Sequence, residues 1–242
     1  MPNDDSPSGY FVLKSIAQWV QDTFAYTCRD LSLFDVALTH RSMGGQHNER
    51  LEFLGDAILN SVTATLLYRA FPVAPEGELS RYRATLVSGD SLGSIAADFQ
   101  VGEYLKLGQG ELKSGGFRRK STLADAFEAI IGAIYLDSDF DQTSTVIERI
   151  FAGRIKHLPL AAQLKDPKTR LQEALQARSV NIPEYQVEAI TGEPHQQHFQ
   201  VSCKVAVLNL YASGAGTSRR GAEQAAAELV LTQLQTLWSK AK

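Results

Sequence analysis

The stretch Glu49-Arg50-Leu51-Glu52-Phe53-Leu54-Gly55-Asp56-Ala57-Ile58-Leu59 interleaves acidic and apolar residues at helical spacing. Leu51, Leu54, Ile58 and Leu59 recur at intervals that line one face of a helix, and the pattern runs on to Leu67. Glu49, Glu52 and Asp56 stand at i, i+3 and i+7, so the same helix also stacks three carboxyls on one side. Like charges at such spacings weaken an isolated helix by about 0.2–0.5 kcal/mol per pair. Their apolar neighbours face a core, and a half-buried carboxylate row needs something positive beside it. A hard cation meets that need: magnesium takes carboxylate oxygens and keeps several waters, which leaves room for a phosphate oxygen. Gly55 interrupts the helix at a cost of about 1 kcal/mol relative to alanine. Its presence predicts close backbone packing that draws Asp56 inward.

A second pair, Asp125 and Glu128, sits at i, i+3 in a stretch from Leu123 to Leu136 whose Phe127, Ile130, Ile131 and Ile134 keep helical period. If the two helices converge, four carboxylates suit one or two divalent ions and metal-assisted phosphoryl chemistry. Blander readings exist. Glu49 and Glu52 also fit a solvated surface, and Asp125 fits the third position of a capping box begun by Thr122.

Outward from these stretches, residues from about Ser15 to Phe151 read as helices, with breaks at Phe71-Pro72 and Pro75-Glu76-Gly77. Gly108-Gln109-Gly110 and Ser114-Gly115-Gly116 mark a loop between helices. Lys113, Arg118, Arg119 and Lys120 crowd around two glycines just before the Asp125 stretch, an arrangement that fits a phosphate backbone as well as it fits a solvated charge run. It lacks the spacing of a Walker loop.

The pattern changes near Pro159. Lys168 to Ala177 reads as a helix. Tyr185, Val187 and Ala189, then Phe199, Val201, Cys203 and Val205, alternate with polar residues, the period of strands. The turn Ala206-Val207-Leu208-Asn209 lacks glycine and leaves a third strand open. Ser218 to Trp238 returns to helix, with Ala222, Ala225, Ala226, Leu229 and Val230 as its buried stripe. The architecture expected is therefore multidomain: an all-α unit over residues 10–155, a linker over 156–164, and an α+β unit of order α-β-β-β-α over 165–238.

Ser218 can cap the last helix, yet Arg219 and Arg220 then fall in its first turn, where the helix dipole disfavours cations. A phosphate held by both arginines and the helix terminus resolves that conflict. Net charge over the 242 residues is -3, which taken alone argues against a nucleic-acid partner. The charge is unevenly spread. From Lys165 onward there are 9 Lys+Arg against 7 Asp+Glu, net +2, and before it 15 against 20, net -5. Cys28 and Cys203 lie far apart, with no zinc spacing and no disulfide framework. Met1 to Tyr10 is polar and acidic, unlike a signal peptide, and no run of about 18 apolar residues suggests a membrane span. The expectation is a cytoplasmic protein with no membrane partner.

These strings, taken together, resemble the ribonuclease III family. Residues 49–59 look like its signature. Thr39-His40-Arg41-Ser42, Gly77-Glu78-Leu79-Ser80, Arg83-Ala84-Thr85-Leu86-Val87, Leu107-Gly108 through Arg119, and Leu123-Ala124-Asp125 to Gly132 agree with it. Asp166 to Glu173, the alternating strands and Gly214 to Ala226 resemble the double-stranded-RNA-binding domain. The resemblance covers nearly the whole chain and is closest to the bacterial two-domain form. It implies a homodimer that hydrolyses duplex RNA with Mg2+, Mn2+ being able to substitute. The products would carry 5′-phosphate and 3′-hydroxyl ends with short 3′ overhangs, and the substrates would be precursors of ribosomal, messenger and transfer RNA.

Carried onto this sequence, the resemblance makes Glu52, Asp125 and Glu128 metal ligands, Asp56 a catalytic acid, and Glu128 catalytic as well as a ligand. Glu49 falls at the edge of the cleft. Thr169, Gln172 and Glu173 would face one minor groove of the duplex, Pro194 and His195 the next, and Arg219 and Arg220 the phosphates between them. Lys113, Arg118 and Arg119 are the further candidates for RNA contact. Glu223 stands where the binding domain often carries a third cation, which weakens affinity. A protein that holds duplex RNA without cutting it is the competing reading, and the presence of all four acids favours the enzyme.

Overall fold

The computed structural model describes residues 14–159, 165–193 and 196–239. The chain divides into two compact units, one ending at Leu158 and the other beginning at Pro159. The first unit is helical: α1 (Ile16–Phe24), α2 (Leu31–Ala37), α3 (Glu49–Ala70), α4 (Glu76–Leu86), α5 (Gly89–Asp98), α6 (Gln109–Lys113), α7 (Lys120–Asp137) and α8 (Phe140–Lys156). The second runs α9 (Pro167–Gln176), β1 (Glu184–Thr191), β2 (His198–Val205), β3 (Leu210–Gly216) and α10 (Arg219–Ser239). The expected all-α unit followed by an α-β-β-β-α unit is what the chain forms. Among the described residues no helix is long and apolar enough to cross a membrane.

Helix α7 is apolar almost all round, from Leu123 through Ile134, and a helix of that kind must be buried. It runs through the middle of the first unit with α2, α3, α5 and α8 packed around it. Phe24, Phe34, Phe127 and Phe151 are fully buried in this core. The start of α7 differs from one sequence reading. Thr122 is buried inside the helix and Arg119 is the residue before it, so no capping box accounts for Asp125. At the other end, Asp137 is a buried anchor. Its carboxylate accepts from Tyr26 Oη at 2.7 Å and from the Arg29 and Asp30 amides at 2.8 and 2.7 Å.

The glycine-flanked segment read as a loop contains one helical turn, α6. Five residues are too few to display a period, and the turn is held from outside by an ion pair between Glu111 and Arg119.

In the second unit the strands form an antiparallel sheet of order β1-β2-β3. Leu171 and Leu175 of α9, Cys203 and Val205 of β2, and Ala226, Val230 and Leu234 of α10 share its core. The buried stripe of α10 is Ala222, Ala226, Ala227, Val230, Leu231 and Leu234, whereas Leu229 is 49% exposed. The stripe is thus rotated from the expected one, because the sheet meets the 222-226-230-234 row. Ser218 caps α10 as expected, accepting from the Gly221 amide at 3.1 Å.

Candidate functional site

Helices α3 and α7 approach backbone to backbone, and this brings the two acidic pairs together. Among the described residues, Glu52, Asp125 and Glu128 each bring a carboxylate oxygen within 4.8 Å of the other two. All three are half-buried. Among the described residues, no lysine or arginine is ion-paired to any of them. Burial first, and then the charges of Asp56, Glu52 and Asp125, push the Glu128 carboxyl up to about 8. Glu52 is also raised, by burial and then by Asp125 and Glu49. Burial raises Asp125 against the opposing influence of His40 and Arg41. Carboxyls held this way lack a directly paired cation, and their hard oxygens match a hard divalent metal ion rather than a soft one.

Asp56 follows on α3 but is exposed, contrary to the expectation that Gly55 draws it inward. The close packing at Gly55 is present. It falls on the α7 side of the helix, and Asp56, one residue on, turns about 100° away. Its Oδ1 accepts from Asn60 Nδ2 at 2.7 Å. Asp56 therefore stands beside the three-carboxylate cluster rather than in it, close enough to raise Glu128.

The cluster opens into a cleft of about 480 Å³ lined by His40, Arg41, Glu49, Glu52, Arg119 and Asp125, among others. Glu49 lies at its edge, bonded to Arg41 at 3.3 Å. Of the three cations singled out in the basic segment, only Arg119 lines this cleft. Arg118 stacks over the Phe117 ring at 4.9 Å, and Lys113 is exposed at the end of α6. Sequence reasoning assigned no role to His40, Arg41, Ser42, Asn60 or Glu111. The string Thr39 to Ser42 was visible, but nothing in it points to a cleft until Gly108 is seen against Ser42.

In the second unit a shallow surface groove collects Thr169, Gln172, Arg219 and Arg220 with Asp166, Lys168, Glu223 and Gln224. Glu173 is turned to Lys165, whose Nζ bonds both its oxygens at 2.7 and 2.5 Å. Pro194 and His195 lie outside the described residues. Glu223 accepts from Lys168 Nζ at 2.6 Å and from Arg219 Nε at 3.0 Å, so it holds two of the groove's cations. Asp166 caps α9 and accepts from Gln224 at 2.8 Å, which ties α9 to α10 at this groove.

Comparison with known proteins matches both units. The family described as Ribonuclease-III-like covers residues 30–155, and the double-stranded RNA binding motif covers residues 167–234. The chain is 56% identical over 209 residues to Ribonuclease 3 of Vibrio cholerae, spanning 86% of this chain and 93% of that one. It is 52% identical over 224 residues to Ribonuclease 3 of Photobacterium profundum, spanning 93% of this chain and 100% of that one. The crystal structure of the nuclease domain of ribonuclease III from Campylobacter jejuni aligns with a TM-score of 0.57 at 36% identity, covering 61% of this chain and 100% of that one. A second structure of that domain, described for flexibility in a region involved in dimer formation, aligns at 0.55 with 38% identity over 56% of this chain and 96% of its own.

Proposed function

The chain belongs to the ribonuclease III family of double-stranded-RNA endonucleases, and from that premise we propose that its cutting centre is the Glu52–Asp125–Glu128 cluster. The observation that carries the proposal is the convergence of three carboxylate oxygens within 4.8 Å, with no lysine or arginine among the described residues ion-paired to them. Mg2+ is the ion proposed, with Mn2+ able to substitute, and Glu52, Asp125 and Glu128 are the residues that would hold it. When bound, the ion acidifies water and stabilises charge on the leaving oxygen. The protein's own part is to fix these carboxylates beside the reacting phosphate, where the ion would offset their charge. Glu128 doubles as ligand and catalytic group, and Asp56, paired to Asn60, orients water at the edge of the cluster.

The second unit grips the duplex largely by its shape and its 2′-hydroxyls. Thr169, Gln172 and Glu173 meet one minor groove, Pro194 and His195 the next, and Arg219 and Arg220 the phosphates between. Lys113, Arg118 and Arg119 of the nuclease unit are proposed as further contacts. The acting form is a homodimer. Phe53, 79% exposed on α3 between Glu52 and Asp56, is a large apolar side chain for a second copy to cover. Two centres in one dimer cut both strands and leave 5′-phosphate and 3′-hydroxyl ends with short 3′ overhangs. Precursors of ribosomal RNA, and some of messenger and transfer RNA, are the proposed substrates, met in the cytoplasm.

Mapping the ends cut from a long RNA duplex tests this reading. Termini that ligate as 5′-phosphates and pair with a short 3′ overhang are expected. Termini with 5′-hydroxyls would refute the chemistry, and a purely monomeric species in sedimentation would refute the dimer.

A further inference from the structure

His40 precedes the tight turn Arg41–Met43 and caps it. Its Nδ1 accepts from the Ser42 amide at 3.2 Å and lies 2.8 Å from Ser42 Oγ. Ser42 Oγ itself accepts from the Gly108 amide at 2.8 Å, which leaves the hydroxyl proton to donate to His40 Nδ1. Gly108 reaches this position because it has no side chain, since a Cβ there would fall 2.3 Å from the Ser42 carbonyl oxygen. The backbone clamps the same junction: the His40 amide donates to the Lys106 carbonyl at 3.0 Å, and the Lys106 amide to the Leu38 carbonyl at 2.8 Å.

The partner of one ring nitrogen decides the state of the other. With Nδ1 accepting from Ser42, the proton of the neutral ring sits on Nε2. Nε2 has no hydrogen-bond partner among the described residues, and the ring lines the cleft that holds Glu52 and Asp125. The two arginines of that cleft are engaged, Arg41 with Glu49 and Arg119 with Glu111. Carboxylates can only accept hydrogen bonds, so a phosphate strand entering here needs donors.

We propose that His40 is a substrate-contacting residue, its Nε2–H donating to a phosphate oxygen of the RNA strand in the cleft, with Ser42 and Gly108 as the relay that positions the ring. This rests on the reading of the cleft as the cutting centre.

Asparagine and glutamine separate the two ring nitrogens. The His40→Asn amide reaches where Nδ1 lies and keeps the turn capped, whereas the His40→Gln amide reaches where Nε2 lies. The test is single-turnover cleavage of a short RNA duplex by the full chain with Mg2+, alongside thermal melting and duplex binding in EDTA. His40→Asn is expected to melt and bind like the natural protein but to cut about 10²-fold more slowly, the usual effect of losing one preorganised donor. His40→Gln is expected to stay within about 10-fold of the natural rate, a smaller loss because its donor is kept. Ser42→Ala, which removes the hydroxyl and leaves only the backbone amide on Nδ1, is expected to lower kcat with KM unchanged. Cleavage by His40→Asn at the natural rate, or by His40→Gln as slowly as His40→Asn, would overturn the proposal. Failure of the natural protein to cut would instead overturn the reading beneath it.

Discussion

Gly55 of α3 faces the backbone of Glu128 in α7 so closely that a Cβ on Gly55 would lie 1.8 Å from the Glu128 carbonyl oxygen. The contact is reciprocal. A Cβ on Gly132 would lie 2.3 Å from the Leu51 carbonyl oxygen. Two glycines thus seat two helices backbone against backbone, and Glu52 becomes a neighbour of Asp125 and Glu128, 73 and 76 residues further along the sequence. Gly55→Ala must push the helices apart, because neither obstacle is a side chain that can swing away. We expect a loss of about 3 kcal/mol, the upper end of overpacking, with cleavage lost in the protein that still folds. An unchanged urea midpoint would contradict this packing account.

Glu128→Ala removes the most strongly perturbed carboxyl of the cluster without touching the second unit. Cleavage should fall by about 10³-fold or more, while duplex RNA binding stays nearly intact. Gel-shift titration beside a cleavage assay checks both halves. Parallel loss of binding would assign Glu128 a different role.

Arg219→Ala combined with Arg220→Ala should weaken binding to every duplex sequence and flatten its salt dependence, by roughly 1–2 in the log–log slope. Glu223→Gln should act in the opposite direction, since it releases Lys168 and Arg219 from the carboxylate that now holds them. An unchanged salt slope in the double variant would count against a phosphate clamp at the start of α10.

Acid should loosen the second unit through two carboxylates. Hydrogen bonds from Lys168, and then from Arg219, hold Glu223 below its ordinary 4.5. Burial alone would raise Asp166, but hydrogen bonds from Gln224 and Thr169 and the Arg220 charge outweigh it and hold it below 3.8. A depressed carboxyl contributes stability above its unfolded value and loses it as pH falls through the folded one. Melting should therefore drop from about pH 5 downward, and Asp166→Asn with Glu223→Gln should flatten that drop. An equal drop in the double variant would place the acid sensitivity elsewhere.

Much of this was legible in the sequence. The two acidic helices announced themselves by their i, i+3 spacing, and β1 and β2 by strict alternation. The third strand was harder to read, because β3 carries Gly214 and Gly216 where apolar residues would signal a strand. Both lie under α10: a Cβ on Gly214 would fall 2.2 Å from the Ala226 amide nitrogen, so the packing itself removes the signal. Helix α6 is too short for a period. The exposure of Asp56 has no local signal, because a close-packed glycine says which helix side is tight, and not where the next residue points. The His40–Ser42–Gly108 relay joins residues 66 positions apart, and no local pattern contains it.

The most direct measurement is incubation of the purified protein with a labelled RNA duplex, with and without Mg2+, beside single-stranded RNA and duplex DNA. The account predicts cutting of duplex RNA alone, and only with the metal present. Binding of duplex RNA without cutting, in either Mg2+ or Mn2+, would contradict it and leave the Glu52–Asp125–Glu128 cluster in need of another purpose.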